Sequence, residues 1–349
     1  MNTRSPKKLK LFLAAALLAY GASGCFMYLS HNVFRTPVHQ DPMPSVQRVE
    51  ELTLILFGDM GQPGTLRDQV LEQIRTESKD YIIALGDLVY PHPPPCPTGE
   101  VLEQDKAFYQ ERVAGGLQNL GAPVLAVLGN HAYYRGKRSY IDELFPFVSS
   151  PREIGHDDQG RVIDPAACMV DFLGQLPDVH LPALDYGLDF GVAQLAFVDT
   201  NHLDDPAQAV VEKTFAPKDG WKILLGHHVL KTYHNKEQED YVRPWLTQHG
   251  IKPDLYANGH AHFLQFGIYN DIPAVTSGSG SKLRDRPVCP PNCGEGQIWG
   301  ESQAGYAVLE VSPETLRVRF KNSDGQELYQ WEETRELRAD AASESSFPQ

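Results

Sequence analysis

Residues 52–61 read LTLILFGDMG, a largely apolar run that ends in glycine and passes directly into an aspartate. A continuous apolar run of this length is typical of a β-strand that is buried on both faces of its sheet. Glycine allows the backbone to turn sharply as it leaves the sheet. Asp59 is therefore predicted to lie at the rim of a sheet, where α/β proteins tend to hold their functional sites.

Four further segments repeat this combination of an apolar run, glycine and a polar side chain. They are Gly86-Asp87-Leu88-Val89-Tyr90 after residues 81–85, Gly129-Asn130-His131 after residues 124–128, Gly226-His227-His228 after residues 223–225, and Gly259-His260-Ala261-His262 before residues 263–268. A single aspartate after a strand is most often a helix cap, and paired histidines are most often surface residues. Five such blocks, each at the edge of a predicted strand, indicate one shared site.

The polar residues of the five blocks form a consistent set of metal ligands. Two aspartates, an asparagine, a tyrosine and three histidines supply oxygen and nitrogen donors without a thiolate. This donor set suits iron, manganese or zinc. A carboxylate shared by two ions would hold them about 3.5–4 Å apart, as in two-metal hydrolytic sites.

The remaining pattern predicts an α/β (α+β) fold. Leu66, Val70 and Ile74 share one face of a predicted helix, and further helices are predicted over residues 101–120 and 240–249. The apolar run 193–198 is a further strand, and the segments 263–268, 274–276, 306–311, 316–320 and 327–331 form a later series of strands. This order predicts two packed sheets with helices outside: a four-layer αββα sandwich of two mixed β-sheets, with the metal site at the sheet rim.

The N-terminal residues predict export. Residues 1–10 are basic, and the apolar run LFLAAALLAYGAS follows at residues 11–23, which is the order of regions in a secretory signal. The run ends in Ala-Ser-Gly-Cys25, which resembles the bacterial lipoprotein cleavage box and makes Cys25 the predicted lipidation site. Because apolar character continues to residue 29, an uncleaved membrane anchor over residues 11–29 is the alternative. Either form predicts a protein of the cell envelope or periplasm, joined to the membrane by a tether over residues 26–50.

Composition limits the partners. The 349 residues carry 31 basic and 45 acidic side chains, for a net charge of −14. This negative net charge argues against nucleic acid as a binding partner, because a polyanion binds to positively charged surfaces. Hydrophobic residues make up 42% of the chain, which is enough for a core and excludes a wholly disordered protein. We expect a monomer.

Four cysteines remain beyond Cys25. In an oxidising compartment an even number predicts disulfides, and four cysteines allow three pairings. Cys289 and Cys293 bracket Pro-Pro-Asn, so a local bridge between them is favoured, which leaves Cys96 to pair with Cys168. A zinc site is the alternative, although the spacing matches no common zinc module.

At its five blocks the sequence resembles the calcineurin-like metallophosphoesterases, over roughly residues 51–333. It is most similar to the purple acid phosphatases, particularly the small, tartrate-resistant type. Gly61 stands where most members of the superfamily have a histidine in the first block, and Tyr90 stands where most lack a tyrosine in the second. One ligand is lost and another gained at the same metal, as in the purple enzymes.

The resemblance implies a dinuclear phosphatase. It implies Fe3+ at the first metal position and Fe2+, Zn2+ or Mn2+ at the second, with a metal-bound hydroxide that attacks phosphomonoesters. Asp87 would bridge the two ions. The implied ligands are Asp59, Asp87, Tyr90 and His262 at the first ion, and Asp87, Asn130, His227 and His260 at the second. The implied metallophosphoesterase domain covers residues 51–334, and residues 335–349 form a loose tail.

The resemblance also implies roles around the metals. His131 matches the family position that contacts the substrate and protonates the leaving group, and Asn130 would contact the substrate beside it. The acidic residue that usually follows this histidine is Ala132 here. His234 lies two residues before the position of a second family histidine, which is Lys236 here, and is a candidate to replace it.

Two further substrate-binding candidates are His228, which adjoins a ligand, and Arg135, which could attract an anion. The expected substrate is a small phosphate ester or a phosphoprotein. Two alternatives stay open: a phosphodiesterase or nucleotide hydrolase with a Mn or Zn pair, and a non-catalytic surface binding protein on the same scaffold. Residues 279–282 read SGSK and fit the Ser-x-x-Lys motif of serine acylases, but they lack its companion motifs.

Overall fold

The computed structural model describes residues 46–335 except 95, 97, 134–154, 157–161, 164–165, 218, 232–241 and 286, with backbone alone at 155–156 and 162–163. The strands are β1 Leu52–Phe57, β2 Tyr81–Leu85, β3 Val124–Val127, β4 Gly155–His156, β5 Val162–Ile163, β6 Val179–His180, β7 Tyr186–Asp189, β8 Ala193–Phe197, β9 Trp221–Leu225, β10 Leu255–Asn258, β11 Leu264–Tyr269, β12 Ile272–Ser277, β13 Gln297–Glu301, β14 Gly305–Val311, β15 Thr315–Asn322 and β16 Glu327–Thr334. The longer helices are α1 Thr65–Thr76, α2 Ala167–Gly174, α3 Asp205–Thr214 and α4 Val242–Gln248.

Fourteen of these strands form two mixed sheets of seven. The first has the order β16-β15-β14-β1-β2-β3-β6 and the second the order β13-β11-β12-β10-β9-β8-β7, while β4 and β5 form a separate pair. In the first sheet β1, β2, β3 and β6 are parallel. In the second sheet β8, β9, β10 and β12 are parallel. The carboxyl ends of the parallel strands in each sheet therefore lie along one edge.

The two sheets pack face to face over a common core. Phe266 of the second sheet contacts Trp331 of the first, and Trp299 stacks on Tyr329 with ring centroids 5.1 Å apart. At the other side, the hydroxyl of Tyr186 donates to the carbonyl of Ala126 at 2.9 Å. Such aromatic pairs add to the free energy gained from burial of apolar area.

Helices cover both outer faces. Helix α1 buries its apolar face in the main core, and α3 and α4 pack on the second sheet in a separate apolar cluster. The predicted four-layer sandwich is confirmed. Within the described residues, every helix is too short or too polar to cross a lipid bilayer.

The helix predicted over residues 101–120 is present over the shorter range 103–117, and its successive turns differ in hydrogen bonding. The segment consists of short helical pieces with different hydrogen bonding: Glu103–Asp105, Lys106–Tyr109, Gln110–Ala114 and Gly115–Leu117. The buried guanidinium of Arg67 donates to the carbonyls of Glu111 and Arg112. Both carbonyls lie in the turn Gln110–Ala114, which has the wider π form. A side chain from outside the segment thus bonds to the helix where its own hydrogen bonding is irregular.

Candidate metal centre

All five polar blocks meet at one edge of the sandwich. Asp59, Asp87 and Asn130 follow the parallel strands β1, β2 and β3, while His227 and His260 follow β9 and β10. The backbone N–H of Asp59 donates to the carbonyl of Gly86 at 3.0 Å, and that of Gly259 donates to the carbonyl of His227 at 3.1 Å. These two bonds join neighbouring loops within each sheet, and the N–H of His260, which donates to Asp59 Oδ2 at 2.8 Å, joins the loops of the two sheets around one centre.

The first group of side chains converges on the phenol of Tyr90. Its hydroxyl donates to Asp59 Oδ1 at 2.6 Å and lies 3.0 Å from Asp87 Oδ2 and 2.9 Å from His262 Nε2. Ligand atoms of Asp59, Asp87 and His262 lie within 4.8 Å of one another. All four side chains are buried. Together they supply two carboxylates, a phenol and an imidazole to one point.

The second group contains Asp87, Asn130, His227 and His260. Asn130 Oδ1 lies 3.0 Å from His227 Nε2 and 2.9 Å from His260 Nδ1. His227 Nε2 lies 3.4 Å from Asp87 Oδ1. Because Asp87 Oδ2 faces the first group and Asp87 Oδ1 the second, one carboxylate joins both. This is the arrangement that a bridging ligand between two cations requires.

The local electrostatics fit bound cations. Burial and the nearby carboxylates of Asp59 and Asp87 raise the pKa of Tyr90 far above its ordinary value, so without a metal the phenol stays protonated. Burial also opposes the charge of Asp87, but His227 and His131 outweigh it and lower the pKa of that carboxyl. A cation at each group would neutralise buried carboxylates and favour the phenolate form of Tyr90. The residues present therefore fit a dinuclear metal site.

The surroundings of His227 fix its imidazole in the tautomer that a metal ligand needs. Its Nδ1 lies 2.7 Å from the carbonyl oxygen of Leu85, which can only accept, so Nδ1 carries the proton and donates. Nε2 therefore faces the second group as the ligand atom. Burial would lower the pKa of His227, but the carboxylate of Asp87 raises it to about 9. A metal ion at Nε2 would take the position of the proton that Asp87 otherwise holds there.

The predicted ligands include four residues with left-handed backbone conformation. The φ angles are 61° at Asp59, 51° at Asp87, 65° at His260 and 52° at His262. Such angles cost a non-glycine residue about 1–3 kcal/mol each and concentrate at functional sites. Hydrogen bonds within the centre oppose this cost, including that from the backbone N–H of His260 to Asp59 Oδ2 at 2.8 Å.

Close contacts with neighbouring atoms explain why glycine stands at positions 61 and 129. A Cβ atom on Gly61 would lie 2.2 Å from the backbone nitrogen of Val89, and the N–H of Tyr90 donates to the carbonyl of Gly61 at 3.2 Å. The missing side chain thus allows the segment that carries Tyr90 to pack on the first block. A Cβ atom on Gly129 would lie 2.2 Å from Asp87 Oδ1. Both positions therefore exclude any side chain.

His131 lies beside the first group and is partly exposed. Its backbone N–H donates to Asp87 Oδ1 at 2.9 Å, and its ring lies edge-on to Tyr90 at 4.5 Å. Its Nδ1 donates to the carbonyl of Pro91, while Nε2 lies 3.8 Å from Asp87 Oδ2. The Pro91 carbonyl orients the ring where the sequence lacks a carboxylate after His131. Burial, against the opposing effect of Asp87, lowers the pKa of His131 below its ordinary value.

His228 supports the ligands from behind. It is buried, its Nδ1 lies 2.8 Å from Thr200 Oγ1, and its ring packs on that of His260 at 4.7 Å. Thr200 also accepts from the backbone N–H groups of His227 and His228. Sequence reasoning missed Thr200 because the apolar run before it ends in Asp199 without a glycine. The predicted residues Arg135, His234 and Cys25 lie outside the described residues.

Among the residues that the structure describes, disulfides join Cys96 to Cys168 and Cys289 to Cys293, which is the pairing that the sequence favours. The first connects the segment after Tyr90 and Pro91 to helix α2. The second closes a short loop whose Cys289 pairs with Gly300 in strand β13. The alternative of a zinc site at these cysteines is therefore wrong.

Sequence comparison identifies relatives along most of the chain. Residues 52–264 match the model of the family described as calcineurin-like phosphoesterase. Purple acid phosphatase 4 of Arabidopsis thaliana is 32% identical over 340 residues, which cover 90% of this chain and 93% of that protein. Purple acid phosphatase 17 of the same plant is 30% identical over 308 residues, which cover 82% and 85% of the two chains.

Solved structures share the fold. Purple acid phosphatase PPD1 from yellow lupin (Lupinus luteus) seeds superposes with a TM-score of 0.56 at 18% identity, covering 84% of this chain and 56% of that one. GAP50 of Plasmodium, described as the anchor in the inner membrane complex, superposes with a TM-score of 0.54 at 17% identity, covering 83% and 90%. At these identities the likeness concerns the fold alone.

Proposed function

We propose a specific reaction for this chain, which belongs to the calcineurin-like phosphoesterase family and, within it, to the purple acid phosphatases. The protein is a metal-dependent phosphoric ester hydrolase with a dinuclear metal site. The reaction we propose is hydrolysis of phosphomonoesters. The observation that carries this proposal is Asp87, whose two carboxylate oxygens face two separate groups of ligand-type side chains.

We assign Asp59, Tyr90 and His262 to one ion and Asn130, His227 and His260 to the other, with Asp87 shared. The buried phenol of Tyr90 between two carboxylates supports Fe3+ in the first group, because a phenolate stabilises ferric iron. The amide and imidazole donors of the second group suit Fe2+, Zn2+ or Mn2+. When bound, the two ions would supply positive charge to the phosphate oxygens and would activate water for attack on phosphorus.

His131 is the proposed general acid. With Nδ1 committed to the carbonyl of Pro91, its Nε2 is the nitrogen on the side of Asp87. A proton on Nε2 can pass to the leaving oxygen of the ester as the bond to phosphorus breaks. The fixed ring orientation means that no rotation of the imidazole is needed before transfer.

The test compares p-nitrophenyl phosphate with bis(p-nitrophenyl) phosphate from pH 4 to 8, using the metal-loaded protein and its Asp87→Asn variant. We expect hydrolysis of the monoester by the wild type, a lower kcat/KM for the diester, and no activity in the variant. Preference for the diester would favour the phosphodiesterase alternative. No hydrolysis of either compound by protein that carries two metals would overturn the proposal in favour of a binding role.

We also propose export and tethering through Cys25. The N-terminal pattern supports this proposal, and so does the way in which residues 46–51 join the domain. Arg48 pairs with Asp189 at 2.7 Å, and the N–H of Val49 donates to the carbonyl of Phe190. These contacts precede β1, and Asp59 follows β1, so a strand length of about 20 Å separates the tether from the metal centre. A membrane-bound protein would thus hold its centre away from the lipid.

Labelling of expressed protein with radioactive palmitate tests the lipid. We expect label in the wild type and none after Cys25→Ser, with the variant released from the membrane fraction. An unlabelled wild type that remains in the membrane fraction would contradict lipidation and support an anchor over residues 11–29.

A further inference from the structure

The loop 278–284, which follows strand β12 and lies outside the five blocks, is bonded to both sides of the metal centre. Ser281 Oγ donates to the carbonyl of Asp59 at 2.5 Å and accepts from the N–H of Gln62 at 3.2 Å. Farther along, the N–H of Arg284 donates to the carbonyl of His262 at 3.0 Å. Lys282 lies between these two attachments. Its backbone is therefore positioned by bonds that the neighbouring residues make to the main chain of two predicted ligands, Asp59 and His262.

The ammonium group of Lys282 lies over the first ligand group. Nζ is 3.8 Å from the centre of the Tyr90 ring, and the side chain is half-buried. Asp87 and Asp59 attract this charge, Arg284 repels it, and Lys282 in turn acts on His131. Lys282 makes no ion pair with any residue that the structure describes. A cation held this close to the centre without a carboxylate partner is available to an anion that enters the site.

Metal ions do not contact every oxygen of a phosphate group, so the remaining oxygens need donors from the protein. His131 faces the centre from one side of Tyr90 through an edge-on ring contact. Lys282 contacts the same ring as a cation. A lysine ammonium is a point charge with three donors, and it binds phosphate without requiring one fixed geometry.

We propose that Lys282 is a substrate-binding residue, whose ammonium group contacts a phosphoryl oxygen and favours doubly charged phosphomonoesters over singly charged diesters. This inference rests on the proposed phosphatase function of the same centre. It also gives a role to the lysine of the SGSK segment, which follows Ser281, the residue that bonds to the backbone of Asp59 and Gln62.

The experiment uses the metal-loaded full chain, with Lys282→Met and Lys282→Arg as variants. For Lys282→Met we expect KM for p-nitrophenyl phosphate and Kd for inorganic phosphate, measured by calorimetry, to rise about tenfold, or ~1.4 kcal/mol. This loss of binding free energy lies near the lower end of the usual range for a hydrogen bond to a charged group, because solvent partly screens the side chain. KM for the diester should change less, kcat should stay within about threefold, and Lys282→Arg should retain most of the affinity.

The matched control is Arg284→Met, which removes a neighbouring exposed cation and should change both constants by less than about twofold. An equal loss in this control would show general surface attraction and would overturn the inference. Unchanged phosphate affinity in Lys282→Met would also overturn it. A protein that binds phosphate through Lys282 but hydrolyses no ester would refute the proposed function and leave this inference intact.

Discussion

The disulfide between Cys96 and Cys168 should contribute far more stability than that between Cys289 and Cys293. The first joins residues separated by 72 positions, the second residues separated by 4. If a crosslink acts by restricting the unfolded chain, loop-closure entropy gives about 4 kcal/mol for the first and about 2 kcal/mol for the second. The double variants Cys96→Ala/Cys168→Ala and Cys289→Ala/Cys293→Ala should therefore differ in their free energy of unfolding by about 2 kcal/mol.

Urea titration followed by tryptophan fluorescence measures this difference. The protein should be metal-free, because bound ions would add their own stabilisation to the folded state. Equal losses in the two double variants, or a larger loss from the short loop, would refute the chain-entropy reasoning and indicate that local packing dominates. A lower kcat in Cys96→Ala/Cys168→Ala, with metal content intact, would further link this bridge to the Pro91 segment that orients His131.

Three other substitutions test separate parts of the account. Tyr90→Phe should abolish the visible charge-transfer band of the iron-loaded protein, and an unchanged spectrum would exclude Tyr90 as a ligand. His131→Ala should lower kcat by roughly 100-fold or more with metal content unchanged, whereas loss of metal would contradict its role as an acid. At Glu77, burial opposes ionisation, but hydrogen bonds from Lys321 and Tyr306 prevail and lower the pKa of this carboxyl. Glu77→Gln should cost about 1 kcal/mol at pH 7, and urea titrations should show this difference shrinking as pH falls below about 4.5; a constant difference would exclude the ion pair as its cause.

Four of the five strands that precede the polar blocks could be predicted, because their apolar sequence matches their buried position in the sheet. Strands β1 and β2 have the predicted bounds, since both are apolar on each face and end at a glycine. The hairpin before β16 was also predictable. Asn322 Oδ1 accepts from the N–H groups of Asp324 and Gln326, and Gly325 has a φ of 78°, as its Asn-Ser-Asp-Gly sequence indicates.

Other elements lacked a usable local signal. Strand β10 precedes the fifth block but contains Tyr256 and Asn258, which break the apolar run even though both side chains are buried. Helix α2 is apolar on most sides and so shows no amphipathic period. Helix α3 differs from these two elements because its N-terminus is marked in the sequence. Asp204 caps the helix by accepting from the N–H of Ala207, and a proline lies in the first turn.

Part of the centre also depends on contacts between distant segments. The sequence could pair residue types with metals, but it could not show that the carbonyl of Pro91 orients His131, or that Lys282 lies over Tyr90. Both contacts arise where separate loops meet at the sheet edge. A motif defined within one segment cannot contain this information.

The most direct measurement is the metal content of purified wild type, Asp87→Asn and Asn130→Ala protein, with hydrolysis of p-nitrophenyl phosphate assayed on the same samples. Mass spectrometric metal analysis should give two ions per chain in the wild type. Asp87→Asn should lose metal from both positions together with activity, because Asp87 belongs to both ligand groups, while Asn130→Ala should retain the first ion alone. Two ions and full activity in Asp87→Asn would contradict a shared dinuclear centre.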